Sequence, residues 1–150
     1  GLYNRRGFLS LAKDAIRLID NPSYHILFID MDKMKGINDS YGHDIGDNAL
    51  KEAARILRTS FREGDVISRY GGDEFIIFVS TVDDKTIDNI KDRINENVKV
   101  FNQSDTSIYK LGLTIGHAKY NNGKKESLQQ VINKADKNMY VNKTNQLDQD

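Results

Sequence analysis

The stretch Arg69-Tyr70-Gly71-Gly72-Asp73-Glu74-Phe75-Ile76-Ile77-Phe78-Val79 decides how this chain is read. Residues 75–79 form an apolar run with the character of a buried strand, and two acids stand directly before it. An isolated ionised carboxylate is costly to bury, so acids beside a core strand are usually paired or bind metal. The two glycines permit the backbone angles that a tight hairpin needs. The simplest picture is a β-hairpin, entered through Val66 and Ile67, that presents two carboxylates at its tip. Gly-Gly-Asp is also an ordinary polar turn whose acid is merely solvated. The rest of the chain has to separate the two readings.

Outward from the hairpin, apolar spacing alternates between helical and strand periods. Phe8, Ala12, Ala15, Ile16 and Ile19 predict a helix ended by Asn21-Pro22. Residues 26–29 predict a short strand that runs into Asp30-Met31-Asp32. Leu50, Ala53, Ala54, Leu57 and Phe61 predict a second helix, and Ile87, Ile90, Ile94, Val98 and Phe101 a third. Residues 108–120 are strand-like, with Leu111, Leu113 and Ile115 alternating. Leu128, Val131, Ile132, Ala135 and Met139 predict a last helix, and the polar tail after Lys143 is expected to fray. The order α, β, α, hairpin, α, β, α predicts an α/β (α+β) sandwich: one mixed sheet with a central hairpin and flanking helices.

The 150 residues suit one domain, 1–150, with enough chain for a real core. Twenty-two basic residues balance 22 acidic ones, so bulk charge points to neither nucleic acid nor an anionic membrane. There is no cysteine, which excludes disulfides, thiolate catalysis and cysteine zinc sites and fits a reducing, cytoplasmic compartment. No stretch is long and apolar enough for a membrane span, and no signal peptide is visible. The chain opens abruptly at Gly1-Leu2-Tyr3, which is read as the start of a piece cut from a longer protein.

If the strand before Asp30 neighbours the strand after Glu74, three carboxylates converge at one sheet end. Magnesium takes oxygen ligands, often a few carboxylates plus substrate phosphates, and paired metals clamp the two oxygens of a phosphoryl transfer. The plainer alternative is that Asp30 caps the next helix. Beyond it, Lys33 and Lys35 suit phosphate charge, and N–H groups at a helix start can hold phosphate oxygens. Asn38 and Asp47 offer donors and acceptors for a base edge, and Asp47 can take the paired N–H donors of guanine. Each also has a bland reading, Asn38 as a turn residue and Asp47 as an N-cap.

Together these residues resemble the GGDEF family, the diguanylate cyclases. The signature stands at Gly71-Gly72-Asp73-Glu74-Phe75, preceded by Arg69-Tyr70. The family's opening pattern matches Leu2, Asn4, Arg5, Arg6 and Phe8, and its long Asp-x-Asp to Gly-Asp pattern covers residues 30–47. Thr114-Ile115-Gly116, Ala135-Asp136 and Met139-Tyr140 fit the later blocks.

The resemblance implies a fold like that of class III nucleotide cyclases and polymerase palm domains. It implies a bacterial signalling transferase that condenses two GTP into cyclic di-GMP and two pyrophosphates. One GTP would sit in each half of an antiparallel homodimer, and each 3′-hydroxyl would attack the other's α-phosphate. Residue by residue, it implies magnesium (or manganese) on Asp30, Asp73 and the Met31 carbonyl. Glu74 becomes a further ligand or an aid to deprotonation, so Asp73 and Glu74 share the catalytic role. Asn38 and Asp47 would contact guanine, Lys35 and Lys143 phosphates, and His43 the nucleotide's surroundings, by packing or hydrogen bonding as readily as by chemistry. His25 and His117 match nothing catalytic. Arg62 and Asp65 form an Arg-x-x-Asp motif five residues before Gly71, the spacing of the family's product-binding inhibitory site. Standing alone, that pattern is usually a surface ion pair. An N-terminal sensor or regulatory domain is the implied further partner. Nucleic acid and direct membrane insertion are not implied.

The chain departs from the family at three places. Leu147 stands where a phosphate-binding arginine is expected, which predicts weaker GTP binding rather than its loss. Met34 replaces a phenylalanine, a mild change. The usual segment before Leu2 is missing. An intact Arg62/Asp65 pair with Leu147 keeps open a catalytically weak module that senses GTP or cyclic di-GMP. A cyclase that accepts ATP is a third reading, against which Asp47 argues.

Overall fold

The computed structural model describes residues 2–149 apart from Asn21 and Val82, with side chains described as far as Gln146. The opening Gly1, the helix end expected at Asn21 and the side chain of Leu147 therefore lie outside the described residues.

Two periodicities build the molecule. Strands β1 (His25–Met31), β2 (Val66–Arg69), β3 (Glu74–Val79) and β4 (Leu113–Lys119) form one sheet in the order β2-β3-β1-β4. All three ladders are antiparallel, so the sheet is antiparallel rather than the expected mixed one; an isolated parallel bridge joins Tyr3 to Ser68 beside β2. The hairpin puts β3 inside the sheet and β2 at its border. Because side chains alternate along a strand, Leu27, Ile29, Met31, Ile77 and Val79 face helices α3 (His43–Ser60) and α4 (Asp84–Asn102). Ile26, Phe28, Ile76 and Phe78 face α1 (Arg5–Arg17) and α5 (Leu128–Gln149). The result is a helix–sheet–helix sandwich with a core on each face.

The helices follow the apolar stripes, with local signals at their ends. Asn4 caps α1 by accepting from the Gly7 N–H at 2.8 Å, and Asp83 caps α4 by accepting from the Lys85 N–H at 2.9 Å. α5 lies directly on β4. A Cβ at Gly116 would stand 2.1 Å from the Met139 nitrogen, so only glycine allows this approach. Instead of fraying after Lys143, α5 continues to Gln149.

Residues 34–41 form a helix, α2 (Met34–Tyr41), that the apolar spacing alone did not reveal. Residues 108–112 are not strand. The Asn102 side chain takes both ladder groups of Leu111, donating to its carbonyl and accepting from its N–H at 2.8 Å each, so the backbone is already satisfied there. Within β4 the residues buried against α5 are Thr114, Gly116 and Ala118, while Leu113 and Ile115 are half-buried on the α4 side. The hairpin glycines differ from expectation as well. Among the described glycines only Gly42 and Gly64 have positive φ, so Gly71 and Gly72 serve no left-handed turn.

His25 is 1 % exposed beneath the start of α4, its Nε2 3.5 Å from Asp84 Oδ1, and neither ring nitrogen makes a hydrogen bond among the described residues. Burial lowers its pKa to about 4; Asp84 opposes the shift, and His117, Lys119 and Lys91 add to it. An unfolded histidine titrates near 6.5, so between about 6.5 and 4 the unfolded chain binds a proton that the folded one refuses. Stability is therefore complete above that window and falls as pH drops through it, by about 2–3 kcal/mol. Denaturant titrations from pH 7 to 4 should show this loss, and His25→Leu should flatten it. An unchanged slope in the variant would remove His25 as the cause.

Candidate functional site

The register of β1 with β3 brings the acids together. Asp30 stands opposite Glu74, and the Met31 N–H donates to the Asp73 carbonyl at 3.0 Å, which ties the hairpin tip to the end of β1. Opposed residues on paired strands share a face, so Asp30 and Glu74 turn toward α5. The tip, residues 70–73, is closed by Arg69, whose Nε and Nη2 donate to the Gly72 carbonyl at 3.1 and 2.6 Å. Gly71 leaves room for Glu74: a Cβ there would lie 3.0 Å from Glu74 Oε2. Gly72 has open space where its side chain would be.

Lys143 is the cation bonded to Asp30, and Arg69 adds positive charge near Asp73. Lys143, on α5, donates from Nζ to Asp30 Oδ2 at 2.6 Å, lies 3.5 Å from the Met31 carbonyl oxygen and 3.9 Å from Asp32 Oδ1. Thr114 Oγ1 donates to Asp32 Oδ1 at 2.5 Å, and is 3.0 Å from Gln146 Oε1. One oxygen of each aspartate, Asp30 Oδ1 and Asp32 Oδ2, is buried without a hydrogen-bond partner among the described residues. Burial raises the pKa values of Asp73 and Glu74, and the nearby charge of Asp30 raises both further. This end of the sheet therefore has an excess of oxygen donors.

That donor set fits a hard divalent cation. The ammonium of Lys143 already touches the Asp30 carboxylate and the Met31 carbonyl, two of the oxygens expected to hold magnesium, and a buried Asp30 oxygen is left over. Among the described residues no three acidic or histidine side chains form a closed metal cage. Magnesium is commonly held by only one or two carboxylates, with water and substrate phosphates completing its shell.

Four of the five predicted nucleotide residues meet in a groove of about 410 Å³ lined by Met34, Lys35, Asn38, Asp39, His43, Asp47, Leu50, Gly72 and Asp73, while Lys143 lines a separate cavity. Asn38 lies within α2 and Asp47 within α3, so neither is a turn residue or an N-cap. Asp30 is not a helix cap either: the N-cap of α2 is Lys33, in a left-handed conformation and without a side-chain cap bond. Gly46 seats the Asn38 amide, since a Cβ at 46 would fall 1.7 Å from Asn38 Oδ1. His43 lines the groove and is exposed.

Arg62 and Asp65 sit apart, at the far end of β2. Their side chains pair at 3.7 Å, the Arg62 N–H donates to Asp65 Oδ2 at 3.2 Å, and Arg62 Nη2 donates to the Ser80 carbonyl at 3.0 Å. Burial raises the Asp65 pKa against the bonds from Arg62. The ion pair of the plainer reading is thus present, with the Arg62 side chain 64 % exposed.

Sequence reasoning gave no role to Asp32, Gly46, Thr114 or Lys110. Asp32 had a signal in its two-residue spacing from Asp30, and Gly46 in its place before Asp47. Thr114 was seen only as part of a motif. Lys110, in coil, carried no signal.

The chain matches the family model described as "Diguanylate cyclase, GGDEF domain" over residues 1–149. It is 36 % identical to diguanylate cyclase A of Treponema denticola over 121 residues, 80 % of this chain and 32 % of that protein. It is 34 % identical to diguanylate cyclase DosC of Escherichia coli over 149 residues, 95 % of this chain and 31 % of that protein. The chain thus spans about a third of the length of these curated relatives. Among solved structures, the GGDEF domain of YfiN from Pseudomonas aeruginosa superposes with a TM-score of 0.81 at 32 % identity, over 94 % of this chain and 89 % of that one.

Lys143 supplies the main counter-charge of Asp30. In metal-free buffer Lys143→Met should cost about 1–3 kcal/mol, the usual range for a hydrogen bond to a charged group, read as a lower melting temperature. Millimolar magnesium should recover more of that loss in the variant than it adds to the wild type. Equal magnesium responses would show that the lysine and the metal do not share the Asp30 position.

Proposed function

Because the chain belongs to the diguanylate cyclase GGDEF-domain family, we propose that it condenses two GTP molecules into cyclic di-GMP with release of two pyrophosphates. The observation that carries this reading is the continuity of the site. Asp73 lines the groove with Lys35, Asn38, His43 and Asp47, and its carbonyl is bonded to Met31 beside Asp30 and Lys143.

In this mechanism Asn38 and Asp47 hold the guanine edge, and the acid at 47 favours guanine's paired N–H donors over adenine. Lys35 and Lys143 bind phosphate oxygens, and the uncapped first turn of α2 offers further N–H donors. Asp30, the Met31 carbonyl and Asp73 would hold magnesium, with Glu74 as a further ligand or an aid to deprotonation. Magnesium held by these residues would lower the pKa of the attacking hydroxyl and offset charge on the α-phosphate. Lys143 then leaves Asp30 and follows the phosphates, with Asp32 within reach as its alternative partner. One domain holds one GTP, so the reaction needs an antiparallel homodimer in which each 3′-hydroxyl attacks the other's α-phosphate and pyrophosphate departs.

The parent protein, in this reading, is a bacterial signalling enzyme with an N-terminal sensor or regulatory domain, and residues 1–150 are one GGDEF catalytic domain of it, on the cytoplasmic side. No helix among the described residues is long and apolar enough to cross a membrane. Arg62 and Asp65 form the product-inhibition site, where cyclic di-GMP has to open the present ion pair. The leucine at 147 supports a second reading, a weakly catalytic module that senses GTP or cyclic di-GMP.

The chain, dimerised through a fused coiled coil and given GTP and magnesium, should yield cyclic di-GMP on chromatography; silence would refute the cyclase. Gly46→Ala separates site from scaffold. Alanine favours a helix interior by up to about 1 kcal/mol over glycine, yet its methyl displaces Asn38. The variant should keep or raise its melting temperature while GTP affinity falls at least about tenfold. Unchanged affinity would remove Asn38 from the base site.

A further inference from the structure

We propose that Lys110 is a further phosphate-binding lysine, acting with Lys33 and Lys143 on the β- and γ-phosphates of the bound nucleotide. The proposal rests on the function just argued. A cavity of about 200 Å³ is lined by Asp32, Lys33, Lys110, Leu111, Gly112, Lys143 and Gln146. Three lysines reach it from three separate segments: the turn after β1, the coil before β4, and α5. They face one aspartate, a formal excess of two positive charges. That aspartate already accepts from Thr114 Oγ1. The cavity is smaller than the roughly 300–1,000 Å³ of sites for drug-sized ligands, which suits a phosphate chain rather than a nucleoside.

Its position fits as well. Lys143 belongs both to this cavity and to the Asp30 contact, so the cavity adjoins the point where the α-phosphate reacts. The base groove lies on the other side of the start of α2, with Met34 and Lys35 in its wall and Lys33 in the wall of the cavity. A nucleotide with its base in the groove and its α-phosphate beside the metal that Asp30 would hold directs its outer phosphates among these lysines. Position 147 is leucine and adds no charge, which leaves the subsite dependent on cations from elsewhere in the chain.

Lys110 Nζ now donates to the carbonyl of Asn102, the last residue of α4. Lysine at a helix C-terminus is a familiar cap, and capping alone is the competing explanation. The side chain is exposed and its stem flexible, so the ammonium can leave the carbonyl for phosphate.

Calorimetry with magnesium and 3′-deoxyguanosine triphosphate, which lacks the attacking hydroxyl, decides between the two, with 3′-deoxyguanosine monophosphate as the control. Lys110→Gln keeps a donor for the carbonyl but loses the charge. It should weaken triphosphate binding about fivefold, as expected for loss of one partly solvated ionic contact, and leave monophosphate binding unchanged. Lys110→Arg should restore triphosphate binding. Wild-type triphosphate affinity in Lys110→Gln would overturn the proposal and leave the cap. An equal loss for both nucleotides would also overturn it, as a structural effect. A wild-type domain that binds neither nucleotide would overturn the functional reading itself.

Discussion

The pairing of β1 with β3 is the constraint on which the rest depends. With His25 opposite Val79 and Asp30 opposite Glu74, the even-numbered residues of β1 turn toward α1 and α5 and the odd-numbered ones toward α3 and α4. A one-residue slip would exchange the faces. It would carry Asp30 away from Lys143 and expose one core to the other's helices. The apolar alternation that fills two cores therefore also aims the carboxylates. β4 contributes from the other side of β1, placing Thr114 opposite Asp30 and within reach of Asp32.

The site concentrates like charge where a stable scaffold would avoid it. Asp30, Asp32, Asp73 and Glu74 crowd one end of the sheet, and Lys143 is the cation bonded to the first of them. Carboxylates held this way favour any cation that brings more charge than an ammonium. In the proposed mechanism Lys143 is a placeholder beside Asp30, which metal and phosphate would displace. Asp32, fixed by Thr114 and close to Lys143, gives the lysine a partner during that exchange.

Much of this was legible in the sequence because it lies in short motifs with fixed geometry. The hairpin, the aspartate ending β1 and the helical stripes of α1, α3, α4 and α5 each carried a local signal. Lys35, Asn38, His43, Asp47 and Asp73, named from sequence, share one groove. The helix carrying Asn38 was hidden because Gly36, Asn38, Asp39 and Gly42 all depress helix propensity; burial of Met34 and Ile37 outweighs it. Residues 108–112 misled in the opposite sense. Their alternation is that of a strand, but Asn102, contributed by α4, takes both backbone groups of Leu111. Lys110 could not be read at all, since the cavity it lines is built by three distant segments. The hairpin glycines were recognised for the wrong reason: they provide space for Glu74 and an open face toward the groove rather than unusual backbone angles.

The central claim is that the position now held by the Lys143 ammonium, between the Asp30 carboxylate and the Met31 carbonyl, is the metal position. Anomalous scattering from crystals grown with manganese and 3′-deoxyguanosine triphosphate tests it most directly. The account predicts a manganese peak within coordination distance of Asp30 Oδ2 and the Met31 oxygen, with Lys143 Nζ displaced toward phosphate. A metal bound elsewhere, or Lys143 still on Asp30 with nucleotide in place, would contradict it.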